Sequence, residues 1–150
     1  MLSQKVTEFL RDHNIRYRII EHPLSYTSQK TAEAAHISGK LVAKSVIIKV
    51  DGSMKMVVLP ANESLDLGQL MDLFNTRDIA LANENDFLPL FKDCEAGGIP
   101  PFGNLYGMEV YVRRDLTHDE IIAFNGGDHT ELIRIAYRDY EKLVHPFVIA

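Results

Sequence analysis

At 150 residues and 17.0 kDa the chain has room for one ordinary domain. With 46% apolar and 25% charged residues its composition is that of a globular protein and excludes bulk disorder. The net charge of −5 argues against a broadly basic nucleic-acid coat, yet residues 1–55 carry nine Lys/Arg against five Asp/Glu, so a locally basic face is open to it.

In chain order, Ser3 is an N-cap candidate for a helix to His13 that carries Val6, Phe9 and Leu10 at helical spacing. Residues 16–21 read as a short strand closed by His22-Pro23, and Ser28 opens a short helix stopped near Gly39. Lys44 to Val50 and Met54 to Leu59 read as two strands joined by a tight turn at Asp51-Gly52. Ser64 is placed to cap a helix carrying Leu67, Leu70, Met71 and Phe74; a weak strand at 78–81 and a weak helix at 85–91 follow. Cys94 to Gly107 is Gly- and Pro-rich and reads as loop. Met108 to Val112 is a strand, and Ile121–Phe124 and Glu131–Tyr137 read as two more around Asn125-Gly126-Gly127. A helix over 118–124, opened by the box Thr117-x-x-Glu120, competes with the first of that pair. Asp139 to Val144 closes the chain with a helical turn. Six or seven strands among four or five short helices, without a βαβ rhythm, give an α+β class with a mostly antiparallel or mixed sheet.

No apolar run approaches the ~20 residues that span a bilayer, and no signal peptide is visible. The expectation is a soluble, cytoplasmic chain with residues 1–150 as a single domain. The lone Cys94 forms no internal disulfide and, between Asp93 and Glu95, is a poor nucleophile. The six histidines show no HExxH or i, i+4 pair, and GxSxG, P-loop and GxGxxG signatures are absent, so no metal and no cofactor are expected.

Three local features remain. Lys44 opens a strand and by period-two alternation shares a face with Val46, Ile48 and Val50, at the rim of which desolvation would perturb it. Gly97-Gly98-Ile99-Pro100-Pro101-Phe102-Gly103 is a stiff loop whose glycines let a ligand approach the backbone. Gly126-Gly127-Asp128-His129 places a histidine in a turn between strands.

Taken together with the helix Thr31-Ala32-Glu33-Ala34-Ala35 and the stretch Phe91-x-Asp93-Cys94-Glu95, this order and spacing resembles the YbaK/prolyl-tRNA-synthetase-associated (INS-like) editing-domain family of trans-editing aminoacyl-tRNA deacylases, from about Val6 to Leu143. The resemblance implies a single domain with a curved mixed or antiparallel, barrel-like sheet surrounded by short helices. It implies hydrolysis of the ester between a misplaced amino acid and the tRNA 3′ end, typically alanine or cysteine on tRNA-Pro, with aminoacyl-tRNA and transiently prolyl-tRNA synthetase as partners. By position, Lys44 matches the essential lysine, Gly97, Gly98, Ile99, Pro100 and Gly103 the loop contacting the aminoacyl group, His129 a pocket histidine and Gly127 the approach beside it. Ser45 stands where some alanine-removing members carry Asn, so specificity is not transferred. Pocket walls are expected from Ile47, Leu59, Ile99 and Phe102, and contacts to acceptor-stem phosphates from Arg16, Arg18, Lys30 and Lys40. The alternatives are a catalytically inactive binding module for a tRNA end or amino acid, and a hydrolase of small amino-acid esters.

Overall fold

The Asp51-Gly52 turn organises the sheet. The computed structural model describes residues 2–150, and in it β2 (Val42–Val50) and β3 (Ser53–Pro60) pair antiparallel from Ala43–Pro60 to Val50–Ser53. Asp51 and Gly52 both take positive φ, 49° and 85°, the backbone of a primed turn whose twist matches the strands it joins. The other strands are β1 (Arg18–Glu21), β4 (Ile79–Leu81), β5 (Val110–Arg113), β6 (Ile121–Asn125), β7 (Glu131–Ala136) and β8 (Phe147–Ile149). They form one mixed sheet in the order β1-β7-β6-β2-β3-β5-β8, with β4 attached to β2. The β2–β6, β3–β5 and β5–β8 pairs are parallel and the rest antiparallel. The path does not close from β8 back to β1, so the sheet is open, as a curved sheet rather than a sealed barrel.

Alternation along β2 and β3 splits the apolar residues between two cores. Ala43, Ile47, Met56 and Val58 join Phe91, Phe102, Phe124 and Tyr140 in the larger one. Ile48, Val50, Val57 and Leu59 join Leu70, Ile79 and Ile149 on the opposite face. Helix α1 (Gln4–Asp12) buries Val6 and Leu10 in the larger core and is capped by Ser3, whose Oγ accepts from the Val6 N–H. Helix α2 (Ser28–Ala34) lays Ala32 over Val42, and α3 (Leu67–Phe74) lays Leu70 on the smaller core. Helix α4 (Glu84–Phe87) runs into a 3-10 turn at Leu88–Leu90, and α5 (Tyr137–Val144) buries Tyr140, whose hydroxyl donates to the Pro101 carbonyl at 2.7 Å. That bond, and the packing of Phe102 between Phe124 and Tyr140, hold the Gly-Pro loop to the core.

The structure corrects the sequence reading at the α3 cap and at the C-terminal edge strand, and it decides or refines the reading at two other places. The α3 cap is Asp66, whose carboxylate accepts from the Gln69 N–H, and not Ser64. Residues 121–125 form the strand β6, not the competing helix, because they pair with β7 residue by residue; Thr117 Oγ1 donates to the Arg114 carbonyl inside a 3-10 turn instead of capping. The 85–91 segment is α4 plus its 3-10 turn. Residues 147–149, beyond the closing helix, form the edge strand β8, paired with β5.

Candidate functional site

The site begins at an interruption in strand pairing. On one edge β2 pairs with β3 along its length. On the other, β6 accompanies it only at Val42 and Ala43, and β4 only from Ile48 onward. Leu41 and Ile47 turn their carbonyls to that second edge, accepting from Ala123 N–H and Ala82 N–H. Ser45, of the same parity, therefore directs its main-chain N–H and C=O at the opening between β6 and β4. A cavity of about 240 Å³ lies there, lined by Ser45, Ile47, Phe87, Gly97, Ile99 and Asn125, with Glu84 among its polar groups.

Two buried polar atoms on this cavity have no hydrogen-bond partner among the described residues, Ser45 Oγ and Asn125 Oδ1. Buried side-chain oxygens are ordinarily satisfied, so two orphans on one small cavity point to a ligand that supplies donors. Asn125 is only 4% exposed, and its Nδ2 donates to the Gly97 carbonyl at 3.3 Å, which fixes the amide and leaves Oδ1 as the available acceptor.

The 94–103 loop packs against the turn after β6. Glu95 N–H donates to the Gly127 carbonyl at 2.7 Å. A Cβ on Gly98 would lie 2.8 Å from the Asp128 carbonyl oxygen, and one on Gly97, whose φ is +79°, would lie 3.0 Å from His129 Cε1. Glycine at both positions is thus a condition of the contact. His129 is buried; its ring lies 4.9 Å from that of Tyr26, and its Nε2 is 3.6 Å from Glu95 Oε2.

Lys44 stands on the opposite face of β2 from the Ser45 side chain, beside Leu59 across the ladder. It shares its face with Val42, which pairs with Ala123 of β6, and it immediately precedes Ser45, which lines the cavity. It is half-buried, and no hydrogen bond or ion pair holds its ammonium among the described residues. Partial burial lowers its pKa below the ordinary lysine value, and the Glu63 carboxylate pulls it part of the way back. Glu63 is itself shifted up, first by a hydrogen bond shared with Asp115 and then by burial, while Arg113, 3.7 Å away, and Lys44 oppose the shift.

Of the residues singled out in the sequence, Gly97 and Ile99 line the cavity, Gly98 backs it, and His129 abuts Gly97. Pro100 is buried in the loop. Gly103 is packed against Val110, Met56 and Met108, and Gly127, with φ +118°, against the Ser3 backbone. Among the expected walls, Ile47 and Ile99 serve, but Phe102 is fully buried in the larger core and Leu59 lies in the smaller core on the other face. Asn125 carried no signal in the sequence beyond its place in a turn. Arg16 and Arg18 line a separate hollow; Lys30 on α2 and Lys40 in the following loop stand outside it. Cys94 is half-buried and its thiol is pushed up to about 12 by burial, then by the Asp93 charge. Among the described residues no three His, Cys, Asp or Glu side chains cluster as metal ligands would, and no helix is long and apolar enough to cross a membrane.

A family model described as an aminoacyl-tRNA editing domain matches residues 22–143. No curated protein matches the chain. Among solved structures, the chain is similar to a candidate trans-editing enzyme for prolyl tRNA synthetase, with TM-score 0.82 and 20% identity over 98% of this chain and 94% of that one. It is likewise similar to the hypothetical protein APE2540, with TM-score 0.84 and 21% identity over 97% of each. A signal transduction candidate from Marinobacter aquaeolei VT8 contains the same fold in 30% of its length, with TM-score 0.75 and 18% identity over 99% of this chain. At these identities the structures show the fold.

Proposed function

The chain belongs to the aminoacyl-tRNA editing domain family, and from that premise we propose that it is a deacylase acting in trans on mischarged tRNA. The observation that carries the reading is the cavity at the gap in β2 pairing, with its two unpartnered oxygens on Ser45 and Asn125 and with Lys44 adjoining Ser45 in the strand. Its 240 Å³ is below the range of sites that enclose drug-sized ligands, and suits an aminoacyl group while leaving the terminal adenosine outside. Ser45 Oγ, Ser45 C=O and Asn125 Oδ1 are acceptors for the α-ammonium of that group, and the Ser45 N–H is a donor for an oxygen.

The chemistry asked of the protein is modest, because an aminoacyl ester is already activated. Water adds to the ester carbonyl carbon, the bond to the ribose oxygen breaks, and a proton passes to that oxygen, leaving a free amino acid and an intact tRNA. Holding ester and water in a near-attack arrangement supplies much of the rate, with no protein nucleophile. A neighbouring ribose hydroxyl serves as the base. The Lys44 ammonium, partly desolvated and near the Glu63 charge without being ion-paired to it, stabilises the charge growing on the ester oxygen more than a fully solvated lysine would. His129 braces the Gly97 segment of the loop. Small misplaced residues such as alanine or cysteine on tRNA-Pro are the first substrates to test, given the cavity's size and the similarity to a candidate trans-editing enzyme for prolyl tRNA synthetase.

The test is release of amino acid from a panel of aminoacyl-tRNAs, beginning with tRNA-Pro bearing alanine, cysteine, serine or proline, by wild type and Lys44→Ala. Selective release of a non-cognate residue, lost in the variant while its melting temperature holds, is the expected result. Binding of charged tRNA without turnover would replace the reading by a binding module. Turnover of a small ester with no dependence on RNA or salt would replace it by an ester hydrolase.

A further inference from the structure

Four arginines meet on one surface although they come from distant parts of the chain. Arg16, Arg18, Arg134 and Arg138 line a single open hollow beside β1 and β7, together with Tyr17 and Asp139. Arg18 and Arg134 are direct partners in the β1–β7 ladder. Like charges placed opposite each other destabilise a sheet, so this pairing costs stability that the fold retains. None of the four has a carboxylate within ion-pair distance among the described residues, whereas Lys49, Lys55 and Arg113 are matched with Asp86, Glu109 and Glu63. A concave group of unpaired guanidinium groups on a protein of net charge −5 is a local device for an anion.

Its position relative to Lys44 follows from the register. Arg18, Arg134, Ala123 and Val42 are successive lateral neighbours across β1, β7, β6 and β2, and Lys44 lies two residues further along β2 on the same face. With strands ~4.8 Å apart and ~3.3 Å per residue, Arg134 is ~12 Å from Lys44 at the Cα level. A second, more apolar hollow over Ala123 shares Ile121 and Arg134 with the first and extends toward β2.

We propose that the Arg16–Arg18–Arg134–Arg138 hollow is the docking surface for the sugar-phosphate backbone of the RNA stem whose 3′ end enters the cavity. The proposal rests on the reading of the cavity as a site for the aminoacyl end of a tRNA. Arginine suits the task because its fork bonds phosphate oxygens bidentately and carries its charge at every physiological pH. The surface supplies affinity and orientation and reads no base.

The experiment measures binding of an uncharged acceptor-stem minihelix across a salt series, so it needs no turnover. Wild type should show a log Kd against log salt slope of about 3, from four phosphate contacts at ~0.7–0.9 each. Arg134→Ala/Arg138→Ala should lower that slope by ~1.5 and weaken binding at low salt by tenfold or more. Arg134→Lys/Arg138→Lys, which keeps the charge, should recover most of the slope, an outcome that a structural role for these side chains would not produce. Thermal melts of each variant establish that it is folded. An alanine variant with wild-type slope and affinity overturns the docking surface even if aminoacyl-tRNA is hydrolysed. A protein that binds the minihelix through these arginines but hydrolyses none of the charged tRNAs retains the surface and loses the deacylase reading.

Discussion

Gly98→Ala probes the contact on which the cavity wall depends. The added methyl carbon would lie 2.8 Å from the Asp128 carbonyl oxygen and 3.0 Å from its nitrogen. A carbon and a carbonyl oxygen normally approach no closer than ~3.3 Å, so the two segments must part by about half an ångström. Neither yields easily. Asp128 is pinned by its carboxylate, which accepts from Thr130 N–H and Glu131 N–H, and the loop by Glu95 N–H on the Gly127 carbonyl. Overpacking of this kind costs about 1–3 kcal/mol, and at 2 kcal/mol the melting temperature of a chain this size should fall by about 4–8 °C. The same movement draws the Gly97 carbonyl from Asn125, and a misplacement of half an ångström should lower kcat/KM about tenfold. Gly107→Ala is the control. Gly107 has φ +78° with nothing within 4 Å, so alanine there meets only left-handed strain of about 1 kcal/mol, and deacylation should be unchanged. Equal activity losses in the two variants, or a Gly98→Ala protein melting within a degree of wild type, would refute the close-approach account.

Three further outcomes follow from the same geometry. Asn125→Ala should leave the Gly97 carbonyl unpaired and remove the free acceptor, lowering kcat/KM for aminoacyl-tRNA about 10- to 100-fold; undiminished turnover would remove Asn125 from the site. Ser3→Ala removes both the α1 cap and the Ser3 hydroxyl bond to Asp93, at about 1–2 kcal/mol in denaturant melts near neutral pH. Burial alone would raise the Asp93 carboxyl, but bonds from Ser3, Tyr106 and the Lys5 N–H outweigh it and hold its pKa below the ordinary value. Its contribution is therefore complete above the unfolded-state value of ~3.9 and fades as pH falls through the folded one, so the Ser3→Ala deficit should shrink in acid; a deficit that grows there contradicts the network. With its thiol pushed up to about 12, native Cys94 should be alkylated at pH 8 at least ~100-fold more slowly than in denaturant, and equal rates would show it to be accessible and ionised.

What the sequence discloses is what is local. The Asp51-Gly52 hairpin is legible because positive φ at both residues is a preference of those residue types, and Ser3 is legible as a cap because its bond reaches only three residues ahead. The choice between Ser64 and Asp66 as the α3 cap turns on which side chain faces the Gln69 N–H, and composition does not distinguish them. The Thr117-x-x-Glu120 box is a sound local helix signal overridden by five ladder partners on β7. β8 is three residues long and exists because β5 offers an edge, which is a tertiary fact. Leu59 could have been excluded as a wall from the sequence, since hairpin register places it across from Lys44 and so away from Ser45. Asn125 could not: its place on the cavity arises from the point at which β6 leaves β2.

That point of departure also explains why the site tolerates poor local energetics. A strand in the middle of a sheet normally has both edges satisfied, and a buried hydroxyl or amide oxygen without a partner costs about 1–3 kcal/mol. Here β6 ends at Asn125 in the Gly126-Gly127 turn, which must swing aside to meet Ser3, and β4 arrives only at Ile48. The opening between them is thus fixed by contacts on both sides, the Ser3–Gly126 hydrogen bond at 2.6 Å and the Ile47–Ala82 bond at 2.9 Å, and is not a slack region awaiting repair. Within it Ser45 Oγ and Asn125 Oδ1 are held without a hydrogen-bond partner among the described residues, and the Ser45 main-chain groups face an edge that neither β6 nor β4 covers. A ligand that satisfies them recovers free energy which folding left unclaimed, and it does so with donors and acceptors that need no reorganisation at the moment of reaction.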